Sequence, residues 1–346
     1  MSKINLKHLY SFNRINKKII VIGICPPPLG GIAIHIQRVI ALYKKQQNAV
    51  GVIDISRRRW YHFVFIDAFK ACFNIMYFRP HYIDYHTAYT RRSLLELNML
   101  LCLKILLRFK ITIVEHDCRY LYHRNNIFKK IRNLLNKFID HHVLIGNTTY
   151  KSYLENNISL KSYSIESAFL PPDTTEEVMI NAIYPVSLQS FMQSRKPLIL
   201  VNAFELILIN SQDLYGIDMC LELIKELKTT YRNIGLLIVL SQIGNDHHFK
   251  RLNTYIKAYN LNSHIYFLIN NYPLWPLFKY CTIFVRPTFS DSFGISVAEA
   301  LYFQVPAIAS DVCIRQKGAI LFKTGNFKSF YKKVYGCLNS RSVDCD

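Results

Sequence analysis

Short runs of β-branched and aliphatic residues alternate along the chain with longer segments whose apolar positions recur every three or four residues, the pattern of repeated βαβ units feeding parallel sheets. In the first half, KIIVIGI (18–24), AVGVIDI (49–55), YIDYH (82–86), ITIVE (111–115) and HVLIG (142–146) predict strands, and 33–46, 91–109 and 126–138 predict helices. The stretch SAFLPPDTTEE (167–177), with its prolines and acids, reads as a linker. Beyond it PLILVNA (197–203), GLLIVL (235–240), HIYFLI (264–269), TIFVRP (282–287), VPAIAS (305–310) and GAILFK (318–323) predict strands, with helices near 217–229, 247–260 and 296–303. A closing helix over 326–338 could pack on either half. Two doubly wound α/β domains follow, 1–178 and 179–346, which suits a 346-residue chain too long for one ordinary core. Ligands are expected beyond the carboxyl ends of the strands and between the domains.

Composition narrows the class. Hydrophobic residues make up 51% of the chain and charged residues 19%, which excludes a disordered protein. The longest apolar stretch, LLELNMLLCLKILLRF (94–109), is interrupted by Glu96, Asn98 and Lys104, so no membrane span is expected. KKIIVIGICPPPLGG near the start has the basic flank of a secretory signal but ends in prolines, and it reads as a first strand. Nine cysteines, an odd number without a C-x-x-C pair, fit neither a disulfide framework nor a zinc site and point to a reducing cytoplasm. The net charge of +20 is polarised: residues 1–150 hold 24 Lys and Arg against 7 Asp and Glu, the remainder 19 against 16. A basic first half calls for an anionic partner, either nucleic acid or an anionic membrane face.

Three places could carry chemistry. Gly30 and Gly31 stand between the first strand and a helix, where backbone N–H groups can meet a phosphate; an ordinary tight turn accounts for them equally well. His116, Asp117 and Arg119 follow a strand end, where functional side chains concentrate. After TIFVRP comes a loop with Asp291, Phe293 and Gly294, and then a helix bearing Glu299. Two carboxylates there could bind the hydroxyls of a sugar nucleotide, or Asp291 and Ser292 could cap the helix with Glu299 on its solvent face. The residues alone leave both readings open.

The stretch DSFGISVAE (291–299) resembles the E-G-F-G-x-x-x-x-E pattern of glycosyltransferase family 4, whose members are retaining sugar-nucleotide transferases. GGIAIHIQRV (30–39), EHDCR (115–119), SAFLPP (167–172), YGIDMCLELIKELK (215–228), VPAIASDV and GAILFK are similar to that family in the expected order, especially to enzymes of bacterial O-antigen and capsule assembly. The resemblance implies the GT-B fold, two doubly wound Rossmann-like domains facing across a cleft. It implies that Glu299 binds the donor's ribose, that Asp291 sits beside the transferred sugar, and that the backbone of Phe293 and Gly294 holds sugar hydroxyls. Gly30 and Gly31 would take the diphosphate, and His116 would line the sugar and acceptor side. No metal or other cofactor is implied.

One departure stands out. The family usually places an Arg and a Lys in the loop after the second domain's first strand, but residues 202–216 contain neither, and Tyr215 stands where the Lys is common. Arg286, and less directly Arg315, is the expected replacement for neutralising the leaving diphosphate. The resulting expectation is a sugar-transferring enzyme that acts on a lipid-linked saccharide, peripheral at the cytoplasmic face of the plasma membrane. A GT-B epimerase, an inactive GT-B scaffold and a basic nucleic-acid-binding protein are the alternatives. The last is disfavoured because no RNA- or DNA-binding motif is present.

Overall fold

The computed structural model describes residues 14–27, 29–55, 68–87, 93–118, 121–122, 124–291 and 293–342. They form two compact units, Met1–Pro26 with Ile32–Leu170, and Pro27–Gly31 with Pro171–Asp346.

The first unit runs β1 (Lys18–Gly23), α1 (Gly31–Lys45), β2 (Ala49–Asp54), α2 (Ala68–Phe78), β3 (Tyr82–Thr87), α3 (Ser93–Leu107), β4 (Lys110–Glu115), α4 (Asn126–Asn136), β5 (His141–Ile145), α5 (Asn147–Glu155) and β6 (Tyr163–Glu166). Its six strands are parallel in the order β2-β1-β3-β4-β5-β6, so the winding direction reverses between β1 and β3. Ile20, Ile22, Ile83, Tyr85, Ile111 and Ile113 form one face of this sheet and pack on Ile75 of α2, Leu97 and Leu100 of α3 and Leu135 of α4.

Two acids are buried in the same sheet, each with a matching cation. Asp84 receives Arg14 Nη1 at 2.8 Å and the Tyr43 hydroxyl, and Arg14 Nη2 also donates to Thr112 at 2.8 Å. Glu115, at the end of β4, receives Arg132 Nη2 and the Tyr153 hydroxyl, both at 2.5 Å. Taking a carboxylate out of water costs several kcal/mol, which only such complete pairing offsets.

The second unit runs α6 (Glu177–Ile183), α7 (Val186–Ser194), β7 (Leu198–Ala203), a short antiparallel hairpin of β8 (Leu208–Ile209) and β9 (Gln212–Asp213), α8 (Ile217–Leu227), β10 (Gly235–Leu240), α9 (Asp246–Ala258), β11 (Ile265–Ile269), β12 (Ile283–Arg286), α10 (Ile295–Tyr302), β13 (Ala307–Ser310), β14 (Ile320–Phe322) and α11 (Phe327–Ser342). Its parallel sheet has the order β11-β10-β7-β12-β13-β14, which is 3-2-1-4-5-6 when its own strands are counted. The switch point lies between β7 and β12, where a doubly wound sheet binds its ligand. Both faces of the sheet are covered. Ile199, Val201, Leu236, Ile238, Ile283 and Val285 pack toward α8, α9 and α11, while Leu200, Leu237, Val239, Phe284, Ala307 and Ala309 lie on the opposite face. Burial on both sides explains the uninterrupted apolar runs of these strands. Phe330, Val334 and Leu338 place α11 in the core of this unit, which decides between the two homes open to it in sequence.

The β8–β9 hairpin turns through Asn210 (φ 49°) and Ser211 (φ 64°), two left-handed residues of the kind that match the strand twist in a two-residue turn. It ends on Asp213, which is fully buried, accepts from the Tyr215 N–H at 3.0 Å and meets His248 Nε2 at 2.8 Å. The next turn brings the start of α8 against the exit of β12. Gly216, at φ 66°, precedes α8, and a Cβ there would press on the Pro287 carbonyl. Gly216→Ala is therefore expected to lower stability by about 2 kcal/mol in urea denaturation. Gly336→Ala, inside α11 with open space around it, is expected to raise stability by up to about 1 kcal/mol in the same assay.

Candidate functional site

At the switch point of the second unit, β12 ends on Arg286 and the chain enters the loop that carries Asp291. The loop is held from two sides. Thr288 donates its hydroxyl to the Leu214 carbonyl at 2.8 Å, and the Ser310 hydroxyl at the end of β13 donates to the Thr288 carbonyl at 2.6 Å. Asp291 Oδ2 receives Arg286 Nε at 2.8 Å and Arg315 Nη1 at 2.7 Å. Arg315 is fixed in turn by the Ser310 carbonyl at 3.1 Å, the Ser310 hydroxyl at 3.2 Å and the Phe293 carbonyl at 3.3 Å. Arg286 donates through Nη1 to the Asn202 carbonyl at 3.2 Å, and its guanidinium lies 5.5 Å from the centre of the Tyr215 ring, within cation–π range. Its Nη2 makes no hydrogen bond among the described residues.

One carboxylate between two guanidinium groups leaves this cluster with a net positive charge. Burial alone would raise the Asp291 pKa, but Arg286, and after it Arg315, reverses that and brings it down to about 2. For Arg286 burial pulls the other way, and the attraction of Asp291 more than offsets it, so the pKa is raised further. Burial raises the Tyr215 phenol, against the opposing pull of Arg286.

Gly294 explains how the loop passes so close to the cluster. Its φ is 78°, and a Cβ there would strike the Arg315 guanidinium and lie 3.1 Å from Asp291 Oδ2. Gly294 is also the residue preceding α10, and no side chain caps that helix among the described residues. The capping alternative for Asp291 therefore fails, because its carboxylate is taken up by two arginines; Ser292 lies outside the described residues. Glu299 stands one turn into α10 rather than in its first turn, and at 2% exposure it is not on a solvent face.

The remaining candidates lie after strands of the first unit's sheet, although Gly30 and Gly31 themselves cluster with the second unit. Gly31 opens α1 and Gly30 precedes it, with nothing within 4 Å of a Cβ placed at Gly30. Neither glycine has positive φ, and a Cβ at Gly31 would lie 3.5 Å from Ile295 Cδ1, so only Gly30 faces open space. His116 follows β4, with Asp117 half-buried beside it; Arg119 lies outside the described residues. The structure brings two further histidines to His116: its Nε2 is 3.1 Å from Nδ1 of His86, at the end of β3, and its ring centre is 4.9 Å from that of His35 on α1. Neither was separable in sequence, since both sit in runs that read only as strand or helix. Arg315 is hard to place from sequence for a similar reason: it lies 24 residues from Asp291 in the chain, and only the order of β12 and β13 joins them.

Residues 203–333 match the family model described as glycosyl transferases group 1. No curated protein matches the chain. Among solved structures it is similar to Anabaena HepE in complex with UDP-glucose (12% identity, TM-score 0.64, 94% of this chain and 91% of that one). It is likewise similar to sucrose-phosphate synthase from Thermosynechococcus elongatus (14% identity, TM-score 0.64, 94% and 90%), and to the lipopolysaccharide outer core galactosyltransferase WaaB (14% identity, TM-score 0.54, 94% and 91%). The fold is GT-B, and the family match together with that fold supports a transferase of glycosyl groups.

Because its folded pKa is depressed, Asp291 contributes stability that is present above its ordinary pKa near 3.8 and is lost as pH falls through about 2. The contribution is about 2 kcal/mol. Asp291→Asn leaves two buried guanidinium groups without their counter-ion and is expected to cost about 3–5 kcal/mol at pH 7. In denaturant titrations the gap between the two proteins is expected to hold from pH 7 to 5 and to narrow below pH 4.

Proposed function

We propose that the protein is a retaining glycosyltransferase that moves a sugar from a nucleoside diphosphate sugar onto a lipid-linked saccharide in the assembly of a cell-surface polysaccharide of the O-antigen or capsule type. The observation that carries this reading is the net-positive Asp291–Arg286–Arg315 cluster at the β7/β12 switch point, followed in the chain by α10 with the buried Glu299. A departing diphosphate needs preorganised positive charge, and the open Nη2 edge of Arg286 supplies it in a loop without any other Lys or Arg. Glu299 accepts hydrogen bonds from the ribose hydroxyls, Asp291 stands beside the transferred sugar, and the backbone at Phe293 and Gly294 holds sugar hydroxyls. Gly30 and Gly31, with the N-terminus of α1, approach the diphosphate, and His116 lines the acceptor side. The UDP-glucose held by HepE supports a uridine diphosphate sugar as the donor class. No step uses a metal or other cofactor.

The membrane-facing part of the proposal rests on α4. Ile127, Ile131, Leu134 and Phe138 form an exposed stripe at helical spacing, with Lys130 and Lys137 exposed beside it. An apolar stripe flanked by lysines suits the surface of an anionic bilayer. No helix among the described residues is long and apolar enough to cross a membrane; the attachment proposed is peripheral, at the cytoplasmic face.

Incubation with radiolabelled sugar nucleotides and lipid extract tests the assignment. Glu299→Gln is expected to lower incorporation about a hundredfold, and Arg286→Ala to lower kcat by at least about tenfold; incorporation equal to wild type in Glu299→Gln would overturn the site. Flotation with anionic vesicles is expected to show binding that weakens in 0.5 M salt, where the Debye length is about a third of its value at 0.05 M, and that falls in an Ile131→Ser, Leu134→Ser double variant. Binding indifferent to both changes would rule out this face.

A further inference from the structure

His35, His86 and His116 come from three separate elements and meet at the carboxyl edge of the first unit's sheet, beside the β1/β3 switch point. Each ring offers one nitrogen, and the three nitrogens lie within 4.8 Å of one another. The rings are tightly grouped, with centre-to-centre distances of 4.9, 5.4 and 5.8 Å. His35 Nδ1 bonds the Ala168 carbonyl at 2.9 Å, and a carbonyl can only accept, so Nδ1 carries the proton and Nε2 the lone pair. His86 Nδ1 and His116 Nε2 share one proton across 3.1 Å. His86 Nε2 is buried and has no hydrogen-bond partner among the described residues.

Three buried imidazoles packed against one another, with one proton between the facing nitrogens of His86 and His116, are a poor way to build a core. The same arrangement is a good way to hold a cation. In a tetrahedral zinc site with Zn–N bonds of 2.0–2.1 Å, ligand nitrogens stand about 3.3 Å apart. The His86 Nδ1–His116 Nε2 separation is already close to that edge, and the remaining gaps, up to 4.8 Å, close on binding. The carbonyl of Ala168 on His35 Nδ1 is the outer-shell contact that orients a metal-bound histidine and fixes its tautomer. Burial lowers His35 to about 4 and, with repulsion from the neighbouring rings, holds His86 and His116 well below the usual imidazole range.

We propose that His35, His86 and His116 form a three-histidine site for a divalent transition-metal ion of the zinc class, with the fourth position left to water or another ligand. Three protein nitrogens and no carboxylate among the ligands select a borderline metal over magnesium or calcium. The glycosyl transfer proposed above uses no metal, so the ion is an addition to it. His116 belongs to both readings, so the decisive variants are placed on the other two rings.

The test is titration of the purified, metal-stripped full chain with Zn²⁺ and with Co²⁺, followed by calorimetry and visible absorption. One equivalent is expected to bind, the Co²⁺ form showing the intense d–d bands of a four-coordinate nitrogen site without a thiolate charge-transfer band. His35→Gln and His86→Gln are each expected to weaken binding at least tenfold while melting cooperatively in metal-free buffer. Zn²⁺ is expected to raise the melting temperature of the wild type and not that of His35→Gln, which keeps the test decisive if His86→Gln does not fold. Absence of stoichiometric binding, equal binding by the variants, or a thiolate signature assigning the ion to cysteines would each overturn the proposal.

Discussion

The salt-bridged carboxylate of Asp291 is the constraint on which the second unit's functional edge depends. Two arginines from different strand ends converge on one oxygen, and without it they would be like charges held together out of water. With it they tie the exit of β12 to the segment after β13, fix the path of the loop between them, and leave one guanidinium edge uncommitted. Everything nearby accommodates that geometry. Gly294 supplies a backbone without a Cβ where the Arg315 guanidinium passes, Asn202 and Tyr215 hold Arg286 in one orientation, and Ser310 orients Arg315 through both its carbonyl and its hydroxyl. The functional reading follows from this, because a preset positive centre at a switch point stabilises an anion without rearranging when the anion arrives.

The first unit manages charge differently. Asp84 and Glu115 lie in its sheet as fully paired ions, each with an arginine and a tyrosine hydroxyl. These partners are supplied from outside the two strands: Arg14 and Tyr43 precede β2, and Arg132 and Tyr153 follow β4. Such pairs add little net stability over an apolar core, but removing one partner strands the other. They therefore specify which segments meet around β3 and β4, the strands whose carboxyl ends deliver His86 and His116.

Much of this architecture was readable from alternation alone. Strands buried on both faces, such as GLLIVL, announced themselves to the residue, and the two-domain α/β reading followed from their number and spacing. The misses have physical reasons. α2 exposes Phe69, Phe73 and Tyr77, so its outer face shows none of the polar contrast by which a surface helix is recognised. β6 is a short edge strand, half exposed, in a polar stretch. α6 begins at Glu177, inside what composition marked as linker. At the site, DSFGISVAE located the loop and the helix, but the pairing of Asp291 with Arg315 and the meeting of three histidines depend on strand order, which no local pattern contains.

The Asp213–His248 contact has a further consequence, in the entropy of binding. It closes the β8–β9 hairpin onto α9 and stiffens the long connection after β7, a stretch that in a looser protein would be ordered only by its ligand. Fixing one residue's backbone takes roughly 1–2 kcal/mol of conformational freedom, and here that cost has already been met by the fold. Whatever docks beside Tyr215 and Arg286 meets a wall that is already in place, and its affinity reflects the contacts it makes rather than the disorder it must remove.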